Sequence, residues 1–115
     1  LTSQRAKPVL GSYDATRQLL TIVQYTKPEG ATDYVNSMWE LQAEPFKGDV
    51  VNSYNDGPPS PGVKPLGPFY ELESSSPALA LKPGESAAHI HRTIHLQGGE
   101  AAVRAFGQAL LGAIE

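Results

Sequence analysis

At 115 residues, 40% hydrophobic and 18% charged, the chain has the composition of one soluble globular domain with a modest core. A net charge of −3 with nine scattered Lys and Arg excludes the clustered basic face a nucleic-acid partner requires. The absence of cysteine excludes a disulfide framework, a thiolate metal site and a cysteine nucleophile. No apolar run approaches the roughly 20 residues that span a bilayer, so no membrane partner is expected. The sequence starts at Leu1 rather than methionine, which leaves the compartment unknown: an upstream signal would make it periplasmic or secreted.

Residues 1–12 form an opening segment with a short strand expected near 8–12. A turn at 13–17 leads into 18–25 (QLLTIVQY), whose β-branched and apolar side chains predict a strand. Lys27-Pro28-Glu29-Gly30 is a loop. Residues 34–42 (YVNSMWELQ) alternate as a half-solvated or ligand-facing strand would, and 50–54 predict another short strand. Residues 55–68 carry five prolines and three glycines in 14 positions, which predicts a long, stiff surface loop.

Residues 69–75 (FYELESS) predict a strand with Tyr70, Leu72 and Ser74 on one face and Glu71 and Glu73 on the other. Strands at 78–81 and 86–96 flank a Pro83-Gly84 turn. After Gly98-Gly99, Val103, Phe106, Leu110 and Ile114 recur at helical spacing, predicting a C-terminal helix over 100–115. The order is mostly β with one amphipathic helix, and 1–115 reads as a single β-rich domain or the C-terminal part of a larger β-sandwich.

All three histidines fall within seven residues, His89-Ile90-His91-Arg92-Thr93-Ile94-His95. On a strand, residues 89, 91, 93 and 95 point the same way, with i and i+2 about 7 Å apart. Imidazoles so placed suit one divalent transition metal held by His89, His91 and His95, or a polar ligand face, or a hydrogen-bonded structural face. Glu71 and Glu73 would stand beside them if the two strands pair, giving a carboxylate–imidazole acid/base pair. Arg92 is the nearby cation for such a carboxylate. Trp39, with Tyr54, Asn55 and Asp56 at the mouth of the proline loop, offers aromatic stacking and polar partners to a carbohydrate.

The stretch Leu66-Gly67-Pro68-Phe69-Tyr70-Glu71-Leu72-Glu73-Ser74-Ser75-Ser76-Pro77, followed by Leu81-Lys82-Pro83-Gly84-Glu85-Ser86, resembles the C-terminal end of galactose mutarotase-like (aldose 1-epimerase-like) proteins. With Tyr34 to Glu40, Gly48 to Pro58 and His89 to Thr93, the resemblance extends over most of the chain, to an uncharacterised bacterial family of that fold. It implies an antiparallel β-sandwich and a carbohydrate ligand, with acid/base chemistry at the sugar anomeric centre and no cofactor. By the same resemblance Glu73, or alternatively Glu71, matches the glutamate base. The acid and positioning histidines of that family lie well upstream, and here it is the polar strand face that would put His89 and His91 with the glutamates on the ligand face. The family domain is more than twice as long, so a chain of this length would expose sheet edges and self-associate. The His-x-His after Pro83-Gly84 also resembles the first motif of cupins, which implies a small barrel around one divalent metal.

Overall fold

The computed structural model describes residues 1–38 and 40–111 and contains β1 (Val9–Asp14), β2 (Leu19–Tyr25), β3 (Val51–Asn55), β4 (Tyr70–Ser74), β5 (His91–Gln97) and α1 (Glu100–Leu111). The strands form two antiparallel sheets, β1-β2-β5 and β3-β4. The arrangement is sandwich-like, and the strands close no barrel. Two stretches read as strands are not strands. Residues 78–81 are extended without a ladder, held by one bond from Ala78 N–H to the Asp33 carbonyl. The described residues of 34–42 form only an isolated parallel bridge, Tyr34 to Lys47.

The reason for the second departure is local. Tyr34 and Asn36 donate their N–H groups to the Phe46 and Pro45 carbonyls, and Gly48 donates back to Tyr34. A Cβ on Gly48 would lie 2.2 Å from the Val35 carbonyl oxygen, so only glycine allows the two backbones to meet. Beyond Asn36, side chains take the backbone partners a sheet would use. The Asn36 amide oxygen accepts from Met38 N–H, and Gln42 donates to the Met38 carbonyl.

β2 is the centre of the molecule because both of its faces are apolar. Val23 and Tyr25 point to one side, where they join Ala6, Tyr34, Val50 and Val51, with Leu10 and Leu72 packed around them. Leu20 and Ile22 point to the other side and join Val103 of α1, with Val9, Tyr13, Ile94 and Leu96. The layers are therefore β3-β4, then β1-β2-β5, then α1. Burial of each large apolar side chain on β2 stabilises the fold by about 1.5–3 kcal/mol.

α1 begins where Gly99 accepts from the Ala102 and Val103 N–H groups, with Glu100 in its first turn suiting the helix dipole. Its buried face is Val103 and Gly107, whereas Phe106 and Leu110 are exposed. The period was legible but the face was offset: the helix lies on the sheet along the i, i+4 row starting at Val103. The expected extension over 112–115 lies outside the described residues. The Pro83-Gly84 turn is present, with Gly84 at φ 86° and Glu85 N–H bonded to the Lys82 carbonyl.

Candidate functional site

Alternation along β4 and β5 decides what meets what. On β5, His91, Thr93 and His95 lie opposite Tyr25, Val23 and Thr21 of β2, so they share the face that looks toward β3-β4. On β4, Tyr70, Leu72 and Ser74 look back across the same seam, because Leu72 packs into the core with Val23. Glu71 and Glu73 consequently point outward. The expected carboxylate–imidazole pairing is not formed: the two glutamates and the histidines stand on opposite sides of the β3-β4 sheet.

Along the seam, Ser74 Oγ lies 2.9 Å from His89 Nε2 and 2.8 Å from His91 Nδ1. His89 precedes β5 rather than belonging to it. Regular pairing stops there because the Thr26 hydroxyl accepts from Ile90 N–H while Thr26 N–H donates to the Ile90 carbonyl. Pro28, which has no N–H, follows shortly after. His89 packs near the Tyr25 ring, with centroids 6.3 Å apart, and its Nδ1 is buried with no hydrogen-bond partner among the described residues.

His95 is engaged separately, its Nδ1 3.1 Å from the Thr21 hydroxyl. The three imidazoles thus do not converge on a point, and among the described residues no three His, Cys, Asp or Glu side chains are gathered as a metal ion would need. Arg92 falls on the helix side of its sheet beside Gln24, with 3.5 Å between the guanidinium and the amide oxygen, away from Glu71 and Glu73.

The outward face of β3-β4 gathers the other half of the expected set. Register pairs Tyr54 with Glu71 and Asn52 with Glu73, which places a phenol, an amide and two carboxylates side by side. Tyr54 and the two glutamates are exposed, and the half-buried Asn52 donates to the Ser37 hydroxyl at 3.4 Å. Asn55 pairs with Tyr70 and falls on the opposite parity. Asp56 ties the proline loop at both ends. Its carboxylate accepts from Gly67 N–H at 2.7 Å and from the Tyr54 hydroxyl at 3.1 Å, while its own N–H donates to the Phe69 carbonyl. The Tyr54 phenol is pushed up from its ordinary value, first by its hydrogen bond to Asp56, then by desolvation, and further by the negative charge of Asp56 and Glu71. Phe69 stands beside the Tyr54 ring with centroids 6.1 Å apart. Trp39 lies outside the described residues.

Two participants were not anticipated. Ser74 was recognisable in principle, because it shares a strand face with the apolar Leu72 and that face must be the inner one. Asn52 needed the strand register, which no single segment encodes. The sequence model of DUF6786, a family of unknown function, matches residues 1–114. No curated protein and no solved structure matches the chain.

Proposed function

The chain belongs to the DUF6786 family, and we propose, on the geometry of its strands, that it is a carbohydrate-binding protein of mutarotase-like type whose ligand lies on the outward face of β3-β4. The observation carrying the reading is the register of Tyr54 with Glu71 and of Asn52 with Glu73. Carboxylates accept two hydroxyl protons each, an amide both donates and accepts, and exposed aromatic rings stack on sugar C–H faces. Glu73 accepts a hydrogen bond from the anomeric hydroxyl. His89 and His91 lie across the sheet, so they supply no acid to this face, and the primary role assigned to it is binding.

The test is a titration of the protein with D-galactose and D-glucose, read by residue-resolved amide shifts and by polarimetric mutarotation. Saturable shifts at Asn52, Tyr54 and Glu73, weakened at least tenfold in Glu73→Gln, are expected. Shifts unchanged by that substitution remove Glu73 from the site. Self-association belongs to the same reading, since β1, β5, β3 and β4 are edge strands among the described residues.

A further inference from the structure

The seam between the two sheets is closed at one end and open at the other. Ser74 bridges to His89 and His91 at the closed end. Toward the opposite end of β4 the sheets leave an open cleft of about 230 Å³ lined by Thr21, Val23, Tyr70, Leu72, Thr93 and His95. That is below the roughly 300 Å³ at which drug-sized ligand sites begin, so the cleft fits one small molecule.

Its chemistry is specific. Register sets Thr21 opposite His95 and Val23 opposite Thr93, so four side chains of β2 and β5 form one flat patch. Val23 and Leu72 supply an apolar floor, and the Tyr70 ring, 43% exposed, supplies a wall. The Thr21 hydroxyl engages His95 Nδ1, which directs the other ring nitrogen, Nε2, away from that bond. Among the described residues no Asp, Glu, Lys or Arg lines the cleft, so a charged ligand would lose hydration without gaining a counter-charge.

We infer that this cleft is a second binding site, for a neutral polyhydroxyl compound no larger than a monosaccharide. Hydroxyls of the ligand exchange hydrogen bonds with Thr93, Thr21 and His95, and its C–H face lies on Tyr70 and Leu72. The inference does not depend on the outward face of β3-β4, from which the cleft is separated by the thickness of that sheet.

The experiment is an amide-shift titration of the intact chain with D-glucose and D-sorbitol, and with sodium gluconate as the charged comparison. Saturable shifts at Thr21, Leu72, Thr93 and His95 with the two neutral probes, and none there with gluconate, are expected. Thr93→Val should weaken the effect at least tenfold while Thr93→Ser retains it, a rescue that a purely packing role of the side chain would not produce. Failure of the neutral probes to give saturable shifts in the cleft at roughly 10 mM overturns the inference. Shifts confined to Asn52, Tyr54 and Glu73 overturn it too, and leave the outward-face reading standing. Gluconate binding as well as glucose does would overturn the neutral-ligand assignment.

Discussion

Ser74 Oγ and His91 Nδ1 stand 2.8 Å apart across the seam, one from each sheet. The same hydroxyl also reaches His89, and it owns a single proton. It can donate to at most one of the two imidazoles, so at least one of these ring nitrogens carries the proton of its bond, which links the tautomers of the two histidines. Ser74→Ala removes both bonds and leaves two ring nitrogens without that partner. The expected cost is about 1–2 kcal/mol, seen as a lower urea midpoint with an unchanged slope. An unaltered midpoint would show that the bridge contributes nothing to joining the sheets.

Two core tyrosines should respond to loss of their hydroxyls in opposite ways. Tyr34 is fully buried and its hydroxyl has no hydrogen-bond partner among the described residues, so Tyr34→Phe is expected to be neutral or to stabilise by up to about 1 kcal/mol. Tyr25 donates to the Lys7 carbonyl, so Tyr25→Phe is expected to cost about 1 kcal/mol. Burial pushes both phenols up from their ordinary values, for Tyr25 with an added contribution from Tyr34. Chemical denaturation of the two variants side by side checks the contrast.

The hairpin between β1 and β2 should be acid-sensitive. Asp14 is held below its ordinary 3.8, first by the Arg17 backbone N–H on its carboxylate and then by the Arg17 side chain. A carboxyl depressed on folding contributes its stability above the unfolded value. It loses that contribution as pH falls through the lower folded value. Asp14→Asn should therefore be less stable than the parent near neutral pH. The gap should close as pH drops below 3.8, measured by thermal midpoints across that window. A gap that persisted in strong acid would point to a cause other than the charge of Asp14.

Self-association is expected to be measurable. The Cα radius of gyration is 16.8 Å, against about 13 Å for a compact chain of this length. Leu41, Leu66, Met38 and Ile90 are all more than half exposed. Sedimentation velocity over a range of concentrations should show species heavier than 12.3 kDa. A single species of that mass at every concentration would remove self-association from the reading.

What the sequence made legible followed from strong local signals. The β-branched and apolar run 18–25 predicts a strand, and Leu19–Tyr25 is the doubly buried centre. Gly98-Gly99 before Glu100 marked the start of α1. The alternation in 34–42 misled, because period two does not reveal that Asn36 and Gln42 side chains will occupy backbone partners. The faces of β4 were legible, but which of them met the histidines was not: that depended on Leu72 turning inward to Val23. His89 was read as one more strand residue, although the Thr26 hydroxyl ends the ladder just before it.

Ile22 and Val23 are adjacent in the chain but are buried in different cores, one under α1 and one under β3-β4. Either outer layer can lift away while the opposite core still covers half of β2. The amide hydrogens of this strand should thus exchange with solvent most slowly in the molecule, released only when the whole fold opens. Sub-global openings divide at that peptide link, and the order in which the two layers detach is set by which core is the weaker.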